Sequence, residues 1–279
     1  RLWNQQTYKT DGEVLLHKAE VWNGEFSPDQ SRFATLTSDG SVGVWSTKTK
    51  TLTHDYVKHN SPLALTAFSK DGKSVYAGLT DGKIHKWSIA ESVRLPVLIS
   101  HEEPLVELAV DPKGELILSS AEDGKIRVWN PQNYTMVREI VASTNNVTGG
   151  DVWQMDFNRE GTRLGTFQKD SPLNALSFRL WSWPDSDPIA FYQFPVKVEG
   201  TAFSPDGKTI AYSNAENFEF IIYDVIALKT LHVNRDHGDR IFNIGYSLDG
   251  KYVATASFDG NARVYTANDL NQICDPLPF

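Results

Sequence analysis

Aromatic residues that end short apolar runs recur along the chain at a fixed spacing. The runs "GVWS" at Trp45, "KWS" at Trp87 and "VWN" at Trp129 lie 42 residues apart. One interval is 52 residues long, and the 42-residue spacing then resumes. Such a period predicts one structural unit used many times. The full series is Trp3, Trp45, Trp87, Trp129, Trp181, Tyr223 and Tyr265.

A second apolar run in each unit ends at a polar turn, as in "FSPDG" and "YSLDG". Turns of this kind between two alternating runs are typical of β-hairpins. No unit has a sustained 3.6-residue period, so few helices are expected. Four strands in about 42 residues are the size of one β-propeller blade. The second series is Phe26, Phe68, Val110, Phe157, Phe203 and Tyr246.

Composition narrows the classes of partner and chemistry. The net charge of −8 disfavours a nucleic-acid surface, and no apolar run reaches the roughly 20 residues of a membrane span. The single cysteine, Cys274, excludes an internal disulfide framework and favours a reducing, cytoplasmic location. Zinc-spaced clusters, nucleophile elbows and dinucleotide fingerprints are missing from the sequence. We therefore expect no catalytic residue, no metal, no cofactor, no nucleic acid and no membrane.

Four polar or aromatic positions also recur in register, and through them the chain resembles the WD-repeat (WD40-type) β-propeller family over its whole length. In that family these side chains form a hydrogen-bonded network that ties the outer strands of a blade to the inner ones. The resemblance implies a structural role, which we favour over the alternative of a metal or acid–base site. The sets are His17, Thr35, Asp39 and Trp45; His59, Asp81 and Trp87, with Ala77 replacing the hydroxyl; His101, Ser119, Asp123 and Trp129; and His237, Thr255, Asp259 and Tyr265.

The resemblance implies an all-β, seven-bladed propeller of four-stranded antiparallel blades, forming one domain over residues 1–279. Residues 1–16 supply the third and fourth strands of the ring-closing blade, and six full repeats run from 17 to 279. That blade is incomplete here, so we expect the chain to be part of a longer protein. A six-bladed ring with a loose N-terminal hairpin is the alternative, which we rank lower because it leaves an open sheet edge.

Two repeats depart from the pattern. The fourth carries insertions near residues 145–153 and 168–178, which emerge on the same face of the propeller. They are either a built surface feature or drift in loops that tolerate insertion. The fifth has Pro195 where His is expected and Asn217 where Asp is expected, although it keeps Ser213. We expect packing to hold the fifth blade more than the network does.

The family resemblance implies that partner contacts lie on the top face, the end of the sheets where each first strand begins. These contacts come from positions four and six before the first-strand aromatic and from the residue before the turn Asp. Alternate strand residues share one side, which would bring the positions together. The alternative is that the aromatic residues plug the central channel. The candidates are Trp22, Trp153, Phe242, Phe258 and Arg240, with Glu20, Glu122, Asp151, Glu199, Lys197 and Thr80 around them.

These observations favour a non-catalytic scaffold domain of a larger protein that binds a protein or peptide through the top face. Aromatic and Arg side chains are the usual anchors of such interfaces, and the carboxylates favour a basic peptide or cationic group. Two alternatives remain open. One is a small-molecule-binding or enzymatic propeller that uses the central channel. The other is a regulatory sensor for an attached catalytic domain.

Overall fold

The computed structural model describes the backbone of residues 15–58, 63–90, 93–142, 151–170 and 175–278. Side chains are described for these residues except 54–58, 63–64, 93–100, 170 and 175. The chain divides into two compact units, Arg1–Trp153 and Gln154–Phe279. The division falls inside the first strand of the fourth repeat.

The first unit contains three four-stranded antiparallel sheets, each built from strands in chain order. Runs of alternating or wholly apolar residues form the strands, and short polar turns join them. The strands of the first sheet are β1 (Val21–Phe26), β2 (Arg32–Thr37), β3 (Ser41–Ser46) and β4 (Leu52–Lys58); of the second, β5 (Leu63–Phe68), β6 (Ser74–Leu79), β7 (Lys83–Ser88) and β8 (Val93–Ser100); and of the third, β9 (Leu105–Val110), β10 (Ile117–Ala121), β11 (Lys125–Asn130) and β12 (Thr135–Val141).

The second unit repeats this arrangement with three further sheets of the same strand order. Its fourth-repeat sheet contains β13 (Val152–Phe157), β14 (Arg163–Asp170), β15 (Ala175–Ser182) and β16 (Pro188–Gln193); the fifth, β17 (Thr201–Phe203), β18 (Thr209–Asn214), β19 (Glu219–Asp224) and β20 (Lys229–Asn234); and the sixth, β21 (Ile241–Tyr246), β22 (Tyr252–Ser257), β23 (Asn261–Thr266) and β24 (Leu277–Pro278).

The core of each unit lies between the facing surfaces of successive sheets. In the first unit, Leu36 and Val44 of the first sheet belong to one buried cluster with Phe68 of the second. In the second unit, Ile222 of the fifth sheet and Ile244 of the sixth share another. Since one sheet face cannot be buried alone, neighbouring repeats stabilise each other.

Two kinds of turn fix the hairpins. Between first and second strands, a Ser-x-Asp turn closes on itself; for example, the Ser204 hydroxyl donates to Asp206 Oδ1 at 2.6 Å. These turns lie at the end of the sheets that we call the bottom face. At the top face, Asp81-Gly82 joins β6 to β7, and Gly82 has a φ of 80°. A side chain at Gly82 would also collide with the carbonyl oxygen of His101, so only glycine fits this turn.

The predicted all-β repeat of four-stranded antiparallel blades is confirmed, whereas the blade count is not. The described residues form six sheets. Of the two strands predicted within residues 1–16, only residues 15 and 16 lie in the described part of the chain, and they are not strand. The last outer strand is only the two-residue β24, with an isolated bridge between Tyr265 and Gln272.

The second insertion in the fourth repeat differs from a simple surface loop. Residues 145–150 of the first one, predicted near 145–153, lie outside the described residues. The second one lengthens a hairpin, because β14 and β15 each have eight residues and remain paired up to Asp170 and Ala175. Most of the extra residues near 168–178 are therefore strand, and only 171–174 fall outside the described part.

Candidate functional site

The third repeat contains the predicted His–Ser–Trp connection. His101 Nε2 lies 2.7 Å from Ser119 Oγ, and Trp129 Nε1 donates to the same oxygen at 2.8 Å. Asp123 Oδ2 is 3.6 Å from His101 Nδ1 and 3.1 Å from Arg127 Nη2. Burial, followed by the nearby Arg127 charge, lowers the pKa of His101 to about 4. His101 is therefore neutral at pH 7.

The first repeat has the same core with a different outer contact. His17 Nε2 lies 3.0 Å from Thr35 Oγ1, to which Trp45 Nε1 donates at 2.9 Å. His17 Nδ1 donates to the carbonyl oxygen of Leu15 at 2.8 Å, so Nε2 accepts from the Thr35 hydroxyl. Asp39 accepts from the Thr37 hydroxyl and so braces its own turn.

The sixth repeat has the closest contact between His and Asp. His237 Nδ1 is 2.9 Å from Asp259 Oδ2, and His237 Nε2 is 2.7 Å from Thr255 Oγ1. Arg263 donates to the same Asp259 oxygen at 2.7 Å. Tyr265 stands at the Trp position and is fully buried against Phe220, with ring centroids 5.0 Å apart. The polar groups of this set all belong to the sixth repeat.

The second repeat is less complete. Ala77 is fully buried where the others have a hydroxyl, and Trp87 is also buried. Asp81 Oδ2 pairs with Lys83 Nζ at 2.5 Å. His59 lies outside the residues whose side chains are described.

The position four residues before each first-strand aromatic is a β-bulge in four repeats. The pairing of β1 with β2 shifts between Val21 and Asn23, and that of β21 with β22 shifts between Ile241 and Asn243. Equivalent shifts occur in β5 and β9. A bulge adds one residue and redirects its side chain. Trp22 and Phe242 therefore project from bulges, and the simple alternation used to group the candidate positions is wrong here.

Five candidate residues of the second unit come together as a patch on its top face. The rings of Phe242 and Phe258 lie 5.0 Å apart, and Arg240 Cζ lies 4.9 Å from the Phe258 ring centroid. Glu199 Oε1 accepts from Arg240 Nη1 at 3.0 Å and lies 3.4 Å from Lys197 Nζ. Phe242 is 40% exposed and Phe258 57%. We call these five residues the Phe242–Phe258 patch.

The remaining candidates belong to the first unit. Trp22 is 60% exposed, and Glu20 beside it is also exposed. Asp151 immediately precedes β13 and Trp153 is its second residue; both are partly buried. Thr80 and Glu122 are exposed in the turns of two different sheets, each immediately before the turn Asp.

The family model described as "WD domain, G-beta repeat" matches residues 92–130 and 228–266 of this chain. Each segment covers the outer strand of one sheet and the first three strands of the next, and the two contain the networks of the third and sixth repeats, in which Asp123 and Asp259 lie beside the network His. The chain contains WD repeats and has a β-propeller fold. No curated protein sequence matches it.

A solved structure shares the fold of this chain. The structure described as "Structure of U3-55K" superposes with a TM-score of 0.76 at 17% sequence identity, covering 94% of this chain and 83% of that chain. At this identity the likeness concerns the fold, and function must be argued from the surface residues.

One WD-repeat contact was missed because the insertion hides it. Trp181 Nε1 donates to Thr166 Oγ1 at 3.0 Å. The hydroxyl stands 15 residues before the Trp, whereas Thr35 stands ten before Trp45. Allowing for five extra residues in the β14–β15 hairpin would have found it. In the fifth repeat, Ser213 Oγ accepts from the backbone N–H of Gly200 at 2.9 Å, a local use of the hydroxyl.

Among the residues that the structure describes, no group of three His, Cys, Asp or Glu side chains is placed to hold a metal ion. Within the same residues, no helix has the length and apolar character needed to cross a membrane.

Proposed function

We propose that this WD-repeat protein is a non-catalytic scaffold that binds a protein or peptide through its top face. The observation that carries the proposal is the Phe242–Phe258 patch. Two large rings stand exposed side by side, although an isolated apolar ring in water is unfavourable by roughly 1.5–3 kcal/mol compared with burial. WD-repeat propellers generally bind proteins or peptides, and this patch has the composition that such interfaces favour.

The patch is held in place before any partner arrives. Phe242 projects from the bulge in β21, and Phe258 lies in the turn between β22 and β23. Glu199 binds the Arg240 guanidinium, which lies over the Phe258 ring. Side chains that are already ordered lose less conformational entropy on binding, so they contribute more to affinity.

The charge of the partner is the finer part of the proposal. Glu199 already faces two cations, Lys197 and Arg240, so it does not by itself favour a basic ligand. The preference for a basic peptide rests on Glu20, Glu122 and Asp151. A partner whose aromatic or aliphatic side chains cover the two Phe rings would satisfy the patch in either case.

A photo-crosslinking amino acid placed at position 258 in cells of the source organism tests the proposal. We expect discrete protein adducts from position 258 and none from position 137, since Val137 is an exposed apolar residue on the outer strand β12. Binding of the captured protein should weaken at least tenfold in Phe242→Ala/Phe258→Ala and stay unchanged in Val137→Ala/Ile189→Ala. Equal adducts at both positions would remove the patch from consideration.

A further inference from the structure

A second concave site lies on the bottom face of the second unit, at the opposite end of the strands from the Phe242–Phe258 patch. It is a groove of about 460 Å³. The groove runs across the first-to-second-strand turns of the fourth, fifth and sixth repeats and reaches the outer strand β20. Its volume lies within the roughly 300–1,000 Å³ of ordinary ligand sites.

The three turns that carry the groove are joined to each other. Arg159 N donates to the Pro205 carbonyl oxygen at 2.7 Å, and Arg163 Nη1 donates to that of Gly207 at 2.7 Å. A Cβ on Gly250 would lie 3.7 Å from Pro205 Cδ, so the sixth-repeat turn packs on the fifth. The groove is therefore built on bonded turns and is present before a ligand binds.

Apolar side chains form the floor and part of the rim. Ile222 is 2% exposed at the base, whereas Leu231 and Leu248 are 38% and 71% exposed around it. Most of the apolar surface of Leu248 is in contact with water. An apolar side chain of a ligand would cover these three residues, a gain of about 25 cal/mol per Å² of surface removed from water.

Carboxylates line the rim beside that floor. Asp206 and Asp249 each use Oδ1 to accept from a Ser hydroxyl at 2.6 Å within their own turn. Asp249 Oδ2 lies 3.5 Å from Lys251 Nζ, an exposed pair that a ligand cation could replace. Three carboxylates line the groove, those of Asp206, Asp249 and Glu160. The basic groups of the lining are the guanidinium of Arg159 and the imidazole of His232. The excess charge is negative.

Two hydroxyl groups in the groove provide a hydrogen-bond donor. Tyr246 Oη and Thr209 Oγ1 lie 3.2 Å apart, and both residues line the groove. One hydroxyl donates to the other, so the hydrogen of the accepting hydroxyl remains available. It can donate to a carbonyl oxygen of a ligand.

We propose that this groove binds a peptide segment that places a Lys or Arg side chain next to an apolar side chain. The apolar side chain covers Ile222, Leu231 and Leu248, and the cation lies against Asp206 and Asp249. A backbone carbonyl accepts from the Tyr246–Thr209 pair. An extended peptide supplies all three groups within a few residues, which suits a groove that is open along its length. The site is separate from the Phe242–Phe258 patch.

Selection of a displayed library of random seven-residue peptides on the full chain tests this proposal. Each selected peptide is then tested for loss of binding to two variants, Leu248→Ser and Asp206→Asn/Asp249→Asn. The Asn side chains of the second variant still accept the turn hydrogen bonds through their amide oxygens. Asp71→Asn is the matched control, because Asp71 makes the same Ser-x-Asp turn in the first unit. We expect peptides with adjacent basic and apolar residues to depend on both groove variants and to ignore the control.

For a synthetic peptide of this class, the double Asp variant should lower affinity by up to about tenfold, from two partly exposed ion pairs. Added salt should weaken binding to the wild type more than to the variant. Binding should persist in Phe242→Ala/Phe258→Ala. Groove-dependent peptides without a basic residue would overturn the proposal, as would a selection whose binders all ignore the groove variants. Peptides that lose binding only in Phe242→Ala/Phe258→Ala would support binding at the top face and not in the groove.

Discussion

The third and sixth repeats and the junction of the fourth and fifth repeats hold their strands in different ways. In the sixth, buried His237 links the Thr255 hydroxyl to Asp259 in the hairpin turn. In the third, buried His101 bonds the Ser119 hydroxyl and lies 3.6 Å from Asp123. At the junction of the fourth and fifth, aromatic rings occupy the corresponding space. The same backbone geometry is therefore compatible with a polar network or with aromatic packing.

The aromatic cluster lies where the fifth repeat lacks its His. Pro195 stands at that position, and Phe194 beside it is buried. Tyr192 stacks on Tyr223 with centroids 4.0 Å apart, and Phe194 meets Tyr212 edge-on at 4.8 Å. Aromatic pairs contribute about 0.5–1.5 kcal/mol each beyond their buried area. Packing thus compensates for the missing hydrogen bonds in this part of the molecule.

The largest expected effect comes from a hole in the aromatic cluster. Phe178 is fully buried, with its ring 5.0 Å from Phe167 and 5.5 Å from Phe203. Phe178→Ala should lower the free energy of unfolding by about 3–5 kcal/mol, because it leaves a cavity among rigid rings. Urea unfolding followed by Trp fluorescence measures the loss. Phe191→Ala, at a ring 49% exposed, is the control and should lose far less; equal losses would show that the cluster is not specifically packed.

The next effect distinguishes the two regions by pH. Burial raises the pKa of Asp156 to about 6, although Gln154 donates to its carboxylate at 2.7 Å. Its folded pKa is above the unfolded value of about 3.8. The folded state therefore binds more protons between these pH values, and stability falls as pH rises through this window. The penalty above pH 6 amounts to at most about 3 kcal/mol.

The His101 network should respond in the opposite sense. Its folded pKa of about 4 is below the unfolded 6.5, with Asp123, Arg127 and Glu139 around it. Stability from this group is therefore lost as pH falls from about 6.5 to 4. Between pH 4 and 6.5, urea midpoints should rise more steeply with pH in Asp156→Asn than in the wild type, and less steeply in His101→Gln. Two parallel profiles would contradict the assignment of both groups.

A smaller loss of stability is expected when the buried hydroxyl of either region is removed. Ser119 serves both His101 and Trp129, whereas Thr166 has only the bond from Trp181. Ser119→Ala should cost about 1–3 kcal/mol, because it leaves two buried groups without their partner. Thr166→Val removes one such bond with little change of shape and should cost less. Thermal unfolding of both variants at pH 7 orders them, and the reverse order would mean that the His contact adds nothing.

The sequence contained the repeat but not its local exceptions. The spacing from Trp45 to Trp129 and turns such as Asp81-Gly82 predicted four-stranded units, since a fixed period and a φ-positive turn are properties of the chain itself. The bulges at Trp22 and Phe242 could not be predicted from alternation, because a bulge leaves the residue pattern intact and changes only the pairing.

The candidate site could likewise be predicted only in part. Aromatic residues and Arg at the predicted positions marked out Phe242, Phe258 and Arg240. Their proximity depends on the bulged pairing of β21 with β22 inside the sixth repeat, which spacing alone cannot give. The groove under Asp206 and Asp249 was missed entirely. Its lining comes from turns about 43 residues apart, each of which looks like an ordinary solvent-exposed turn in the sequence.

The smallest expected effect compares the polar pairs around two turn Asp residues. Lys83 Nζ lies 2.5 Å from Asp81 Oδ2 in the second repeat, yet their side chains are 45% and 36% exposed. Arg127 meets Asp123 at 3.1 Å with only 14% and 18% exposed, and it also binds Glu139. Water and salt screen the first pair, so Lys83→Ala should change the free energy of unfolding by less than about 1 kcal/mol. Arg127→Ala should cost more, because it leaves a partly buried carboxylate without its cation. Urea unfolding at low and high salt measures both, and only the small Lys83 effect should vanish in high salt. If the two variants instead behaved alike, the short distance of a pair rather than its burial would decide its contribution.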